Sequence, residues 1–211
     1  MSKKFFQNKF LKRFFLSKYN FFLLKKYIPN YNYSVLRNKL NNKKIALIGN
    51  SKKILKYEKN QINIKFDVVI RINIYPKIKS TKSFINRCDI LMFSNNPENY
   101  LKKNCLKIWL GQRHCEYWSN ITEETTYNSK PDWYRQLESK LKAPPSTGAM
   151  ALNFLNKILK NPKITLIGFE HKQGNAWYKN LNQPKDSHNY KNEKKFFEEI
   201  LKKNRNIKRL L

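Results

Sequence analysis

Short, largely apolar runs, each closed by a glycine or a polar residue, recur through the middle of the chain. Continuous apolar runs of this length are typical of strands that are buried on both faces of a parallel sheet. The runs cover residues 45–48, 67–72, 90–93, 106–110 and 164–167. The pattern predicts an α/β domain built on a Rossmann-like parallel sheet.

Helical patterns accompany these predicted strands. Residues 147–159 form an apolar helical stretch that passes through Asn161 and Pro162 into the run at 164–167. From His188 to Arg205, apolar residues recur among charges with the spacing of a closing helix. We therefore expect helices to flank the sheet.

The first part of the chain has a different character. Residues 3–28 alternate Lys or Arg with Phe, Leu and Tyr, and they contain no acidic residue, Gly or Pro. This predicts a basic aromatic helix, which ends at Pro29 and has two apolar stripes separated by lysines. It could pack on the domain or lie on an anionic membrane surface, with nucleic acid a less favoured partner. We expect a helical arm at 1–40 and a single α/β domain at 41–211.

The formal net charge of +30 indicates an anionic partner, but charge alone does not distinguish nucleic acid, anionic lipid and a small anion. The three cysteines are an odd number without a CxxC pair, so neither a disulfide framework nor a zinc site is expected. No signal-peptide pattern or spanning apolar segment is apparent. We expect a cytoplasmic protein whose arm could attach it to the inner face of the cytoplasmic membrane.

Small polar residues follow two of the predicted strands, at the edge where open α/β sheets bind ligands. Gly49, Asn50 and Ser51 follow the first strand, and Asn73 follows the second. Because side chains alternate along a strand, Arg71 and Asn73 are expected on the same side. The dinucleotide fingerprint GxGxxG and the phosphate-binding P-loop are both absent.

Two further segments carry candidate chemistry. Ser146, Thr147 and Gly148 precede a predicted helix, where backbone N–H groups suit a phosphate, although a plain capping turn has the same appearance. His188 stands at another predicted helix start, with Glu193 five residues later. Histidine has the unperturbed pKa best suited to a general base at neutral pH.

In their order and spacing, these segments resemble the motifs of the animal-type sialyltransferase family. Its large motif contains Gly-Asn-Ser and Arg-x-Asn, here residues 49–51 and Arg71-x-Asn73. Its small motif resembles residues 145–148 running into 167–169, and its very small motif, His-x-x-x-x-Glu, is matched by residues 188–193. Coverage runs from about residue 44 to residue 199, which suggests this family or a close bacterial relative.

The resemblance implies a variant of the GT-A glycosyltransferase fold and an inverting transfer from a CMP-activated acidic sugar, sialic acid or Kdo. It also implies no required metal, and no cofactor is expected. The basic arm favours a lipid-linked acceptor, so we expect a glycan or glycolipid in bacterial surface polysaccharide synthesis. The resemblance further implies His188 as the catalytic base. The donor would be bound by Gly49, Asn50, Ser51, Asn73 and residues 146–148, while Arg71 and Glu193 would support the site.

The chain departs from the family at its third motif. Residues 174–178 supply the expected aromatics but lack the histidine that contacts the donor phosphate in the family, a role that could pass to His171. No Asp-x-Asp pair is present to hold a divalent cation, which agrees with a CMP donor.

Two other functions remain open from the sequence. The charge and the aromatics among the lysines would suit a nucleic-acid-binding protein. A membrane-surface scaffold with an inactive domain would suit the missing histidine. Neither alternative explains the order of the motifs.

Overall fold

The computed structural model describes residues 31–51, 54, 64–73, 86–94, 105–111, 126–170 and 188–210. The predicted arm helix at 3–28, His171 and the aromatic segment 174–178 lie outside these residues. Within the described part of the chain, no helix is both long and apolar enough to cross a membrane.

Seven strands form one sheet in which every neighbouring pair is parallel. Their order across the sheet is β5-β4-β3-β2-β1-β6-β7. The predicted Rossmann-like parallel sheet is confirmed. The strands are β1 (Lys44–Ile48), β2 (Val68–Ile72), β3 (Ile90–Phe93), β4 (Leu106–Trp109), β5 (Thr126–Asn128), β6 (Lys163–Ile167) and β7 (Ile207–Leu210).

Four described helices pack on one face of this sheet: α1 (Ser34–Leu40), α2 (Pro131–Leu141), α3 (Thr147–Ile158) and α4 (Tyr190–Lys203). Each helix places apolar side chains in a core shared with alternate residues of the strands. α3 is the most deeply buried of them, since nine of its twelve residues are buried. It therefore lies centrally, with its first turn at the carboxyl edge of the sheet.

Helix α1 belongs to this core. Leu36 and Leu40 are 0% and 1% exposed, and Arg37 Nε donates a hydrogen bond to the Ile158 carbonyl at the end of α3. Residues 31–40, which the sequence assigned to the basic arm, therefore pack as part of the α/β domain. The reason is the apolar pair at i and i+4, which gives even this short helix a buried stripe.

The opposite face of the sheet is also buried. Ala46, Ile48 and Val69 form one apolar cluster there with Ile54 and Phe66. Leu91, Phe93 and Trp109 form another. Arg71, only 1% exposed, pairs in register with Ile48 and Leu91, so it lies between the two clusters.

At the carboxyl edge, the ends of β1 and β6 approach each other closely. Gly49 N–H donates to the Ile167 carbonyl at 2.8 Å, and Ser51 N–H donates to the Gly168 carbonyl at 3.2 Å. A Cβ atom on Gly49 would collide with the Gly168 carbonyl oxygen, and Gly168 itself has a φ of +72°. Both positions therefore favour glycine, and the β1–β6 ladder continues past the strand ends.

Cys88 and Cys105 are the two cysteines within the described residues, and they are not joined by a disulfide. Their sulfur atoms lie 3.8 Å apart, ahead of β3 and β4 at the edge opposite α3. They belong to the packing of the Leu91 cluster. The third, Cys115, lies outside the described residues.

Candidate active site

A chain of polar side chains crosses the carboxyl edge of β1, β2 and β3. Asn50 Nδ2 donates to the Ile72 carbonyl at 3.1 Å, which ties the loop after β1 to the end of β2. Asn73 Nδ2 donates to Thr147 Oγ1 at 3.0 Å, and Ser94 Oγ lies 2.6 Å from the same oxygen. The ends of β2 and β3 therefore meet at the first residue of α3, and the end of β1 is tied to them through Asn50.

Asn73 takes up this position through its backbone. It directly follows β2 and has a φ of +53°, a left-handed conformation that asparagine tolerates better than most residues. Its side chain therefore turns toward α3, while Arg71 lies on the opposite face of the sheet. The expectation that Arg71 and Asn73 share a side was wrong, because regular alternation ends at Ile72.

Only one of the two polar atoms of the Asn73 amide has a hydrogen-bond partner among the described residues. Its Nδ2 is held by Thr147, whereas its Oδ1 is buried and accepts no hydrogen bond from any residue that the structure describes. A buried amide oxygen without a donor is costly, and in a native site it points to a missing partner. Because this oxygen can only accept, any partner that it binds must supply a hydroxyl or an N–H group.

The first turn of α3 has a defined cap. Ser146 is the N-cap, and its Oγ accepts from Ala149 N–H at 3.2 Å. The N–H groups of Thr147 and Gly148, in the first turn, have no partner within the helix. They remain available for an anion, and the helix dipole favours negative charge at this end.

Ser146 itself uses its donors elsewhere. Its N–H donates to Glu193 Oε1 at 2.6 Å and its hydroxyl donates to Glu193 Oε2 at 2.8 Å. The Ser146 N–H is therefore engaged by Glu193 and is not available to a phosphate. Of the three predicted phosphate-binding N–H groups, those of Thr147 and Gly148 remain. Glu193 is 2% exposed, so a buried carboxylate from α4 is fixed at the start of α3.

Gly148 brings the backbone of α3 close to the end of β6. A Cβ atom there would lie 2.8 Å from the Phe169 ring. Phe169 in turn packs against Phe197 of α4, with ring centroids 5.5 Å apart and the ring planes tilted by 41°. The aromatic pair thus fills the space beside the start of α3, and only glycine fits at position 148 without displacing the Phe169 ring.

His188 lies next to this helix start. Its Nδ1 is 2.8 Å from the carbonyl oxygen of Pro144, two residues before Ser146. A carbonyl only accepts, so Nδ1 must carry the proton and the neutral ring has its lone pair on Nε2. Asn189 follows as the N-cap of α4, accepting from Asn192 N–H at 3.1 Å. The half-buried imidazole is therefore held in the tautomer that a general base requires.

The structure thus brings together most of the residues predicted from the sequence. Asn50, Asn73, Thr147, Gly148 and His188 lie around the start of α3, and Glu193 supports it from below. Sequence reasoning missed Ser94, although it follows a buried strand just as Asn50 and Asn73 do. It also missed the Pro144 carbonyl, which as a backbone group leaves no signature in the sequence. Among the described residues, no group of three His, Cys, Asp or Glu side chains could hold a metal ion.

Comparisons with known proteins agree with this architecture. No protein-family profile matches the chain, and no curated protein matches it in sequence. Among solved structures it is similar to a mammalian sialyltransferase, with 17% identity and a TM-score of 0.58 over 92% of this chain and 84% of the other. A second structure, in complex with Gal-beta-1-3GalNAc-ortho-nitrophenol, aligns with a TM-score of 0.55 at 16% identity, covering 92% of this chain and 85% of the other. The chain therefore has the fold of that sialyltransferase.

Proposed function

We propose that this protein is an inverting, metal-independent glycosyltransferase that moves sialic acid or a related ulosonic acid from a CMP-sugar to a hydroxyl group of a glycan or glycolipid. The observation that carries the proposal is the His188–Pro144 contact beside the start of α3. This contact places a histidine of fixed tautomer beside the backbone N–H groups of α3, which suit a departing phosphate. The shared fold and the order of the sequence motifs support the same function.

The donor would lie across the carboxyl ends of β1, β2 and β3. Its phosphate would accept from the N–H groups of Thr147 and Gly148, with the α3 dipole adding to the attraction. The buried Oδ1 of Asn73 would accept from a hydroxyl of the ribose or the amino group of the cytosine, because it cannot bind a phosphate oxygen. Asn50 and Ser51 would border the nucleotide from the β1 side, as Gly49 allows by its close approach to β6.

In the transfer step, His188 Nε2 would take the proton of the acceptor hydroxyl as its oxygen attacks the anomeric carbon. The bond from that carbon to the phosphate oxygen breaks, and its electron pair leaves with CMP. Negative charge thus grows on the phosphate, where the first turn of α3 stabilises it. Attack from the side opposite the phosphate inverts the anomeric configuration. Arg71 and Glu193 would take no part in the chemistry but would hold the sheet and α3 in place.

Two features of the proposal concern residues outside the described part of the chain. His171 is the candidate to contact the donor phosphate in place of the missing third-motif histidine. The basic arm at 3–28 would bind an anionic membrane surface, which suits a lipid-linked acceptor on the inner face of the membrane. We extend the proposal to an acceptor in bacterial surface polysaccharide synthesis.

The direct test is release of CMP. The protein is incubated with CMP-sialic acid or CMP-Kdo and a glycan acceptor, with and without EDTA. We expect release of CMP from one donor, unchanged by EDTA and at least about a hundredfold slower in His188→Ala. No CMP from either donor would overturn the proposal, and tight salt-sensitive binding of nucleic acid in that case would favour the nucleic-acid alternative instead.

Thr147→Val tests the donor subsite. Valine keeps the shape of the side chain but removes the hydroxyl that links Asn73 to Ser94. We expect the KM for the CMP-sugar to rise by about tenfold, equivalent to roughly one hydrogen bond, because Asn73 loses the contact that orients it. Steady-state kinetics and titration calorimetry with CMP measure the change.

Thr165→Val is the matched control for this substitution. Thr165 lies in the middle of β6 and therefore away from the first turn of α3. The same loss of a hydroxyl there should leave donor KM unaltered. Equal KM values for Thr147→Val and the parent protein would contradict the placement of the donor beside Asn73.

A further inference from the structure

The loop between α2 and α3 is held at three points by the start of α4. Asn192 Nδ2 donates to the Leu141 carbonyl at 2.8 Å, where α2 ends. His188 contacts the Pro144 carbonyl in the middle of the loop, and Glu193 binds Ser146 at its far end. The base and the anion-binding helix are therefore joined through one loop of a few residues.

This loop has little freedom to adjust. It reads Lys142-Ala143-Pro144-Pro145-Ser146, with Lys142 in a left-handed conformation at a φ of +53°. Each proline fixes its own φ, and the residue before a proline is restricted to extended conformations. Ala143 and Pro144 both precede a proline. A displacement at Leu141 would therefore be passed on to the Pro144 carbonyl instead of being absorbed within the loop.

We propose that Asn192 is a positioning residue for the catalytic base. By fixing the end of α2, it presents the Pro144 carbonyl to His188 Nδ1 and so keeps the proton on that nitrogen. A free imidazole in water favours the proton on Nε2, which would place it on the nitrogen that has to accept one. The hydrogen bond at Nδ1 decides the tautomer. The inference rests on the proposed function, in which His188 is the base.

Asn192 suits this role because its two contacts define its position. Its backbone N–H is capped by Asn189, and its side-chain amide reaches back to Leu141. Asn192 thus connects the N-cap of α4, which is next to His188, with Leu141 at the beginning of the loop. Glu193, its neighbour, fixes the other end. The Pro144 carbonyl lies between these two anchors and has no side chain of its own to hold it.

The test is Asn192→Asp, which preserves size but replaces the donor with an acceptor that repels the Leu141 carbonyl. We expect kcat to fall by about tenfold to a hundredfold, as a misplaced catalytic group does, while the KM for the CMP-sugar is unchanged. In ¹⁵N-histidine spectra, His188 should change from the Nδ1-protonated form toward the Nε2-protonated form. His188→Asn identifies its signals among the three histidines.

Lys191→Gln is the matched control. It makes the same change in net charge at the same helix end, at an exposed position, and leaves both the Asn189 cap and the Asn192–Leu141 bond intact. It should retain both the parent kcat and the Nδ1-protonated spectrum. Asn192→Ala loses the donor without gaining charge and serves in place of Asn192→Asp if the aspartate variant folds poorly. It should show the same change of His188 toward the Nε2-protonated form.

The spectrum separates this inference from the proposed function. An unchanged His188 tautomer in both Asn192 variants overturns the positioning role, whether or not the protein transfers a sugar. A changed tautomer in a protein that releases no CMP supports the positioning of His188 and overturns the transferase proposal alone. A changed tautomer with an unchanged kcat likewise supports the positioning and removes His188 from the role of base.

Discussion

Replacing His188 with alanine is expected to lower kcat for sugar transfer by about a hundredfold to ten-thousandfold, the range that a positioned general base contributes. The imidazole is the candidate proton acceptor beside α3, and Pro144 fixes its lone pair on Nε2. Binding of CMP should persist, because the proposed donor subsite uses Thr147, Gly148 and Asn73 and does not include His188. Single-turnover kinetics and calorimetry with CMP separate the two effects.

His188→Asn refines the same test. The asparagine Nδ2 occupies nearly the place of the histidine Nδ1 and can donate to the Pro144 carbonyl, but the side chain has no group that accepts a proton at neutral pH. It should therefore keep the loop in position and still lose turnover. Lys191→Ala, at the neighbouring exposed position in α4, should leave turnover unchanged. Turnover within a few-fold of the parent in His188→Asn would show that the histidine only holds the loop.

The parallel sheet could be predicted because its central strands are buried on both faces. β1, β2 and β3 each appear in the sequence as largely apolar runs for that reason. The edge strands leave a weaker signal. β5 has only the three residues Thr126–Asn128, and β7 mixes Ile207 with Lys208 and Arg209, which are not fully buried. Such short, mixed segments resemble loops in sequence.

Helices α1 and α2 were not predicted from the sequence. α2 begins with Pro131 at its first turn and places Leu137 and Leu141 on its buried face, so the signals of a helix were present. The charged residues around Leu137 and Leu141 obscure these signals in the sequence. α1 is only seven residues long, and its burial depends on contacts with α3 and β5. The Tyr33 hydroxyl, for example, donates to the Asn128 carbonyl, and burial raises the pKa of this phenol.

The site was predictable where side chains carry the chemistry. Asn50, Asn73 and Thr147 were found from their places at strand and helix ends, because parallel strands bring their carboxyl ends to one edge. The positive φ of Asn73 has no marker in the sequence beyond the tolerance of asparagine for it. The Pro144 carbonyl and the Ser146–Glu193 contact depend on how α4 docks on the loop. Tertiary packing of that kind is not visible in local patterns.

Glu193→Gln is expected to lower the free energy of unfolding by about 2 kcal/mol, the scale of a hydrogen bond to a charged group. A glutamine can accept from Ser146 N–H, but its amide nitrogen cannot accept from the Ser146 hydroxyl. The negative charge at the start of α3 is lost as well. Chemical denaturation measured by circular dichroism gives the change.

An opposing effect has to be weighed, since a neutral side chain is easier to bury than a carboxylate. That relief applies when the partners of a buried charge are replaced along with it. Here the Ser146 donors and the helix N-terminus remain in place and were arranged for an anion, so the loss should be larger than the relief. If Glu193→Gln is as stable as the parent protein or more stable, the relief of burying a neutral side chain is at least as large as the loss of the contact with Ser146.

Glu199→Gln supplies the matched control for this prediction, because it makes the same substitution two turns along the same helix. Glu199 pairs with Lys140 at 2.5 Å, but both side chains are 47% exposed, and exposed ion pairs contribute little. The Lys140 ammonium lowers the pKa of Glu199, so whatever the pair contributes is present at neutral pH and is lost on acidification. The unfolding midpoint of Glu199→Gln should match that of the parent protein at pH 7. A fall as large as that of Glu193→Gln would mean that loss of charge on α4, and not the buried contact with Ser146, sets the stability of this helix pair.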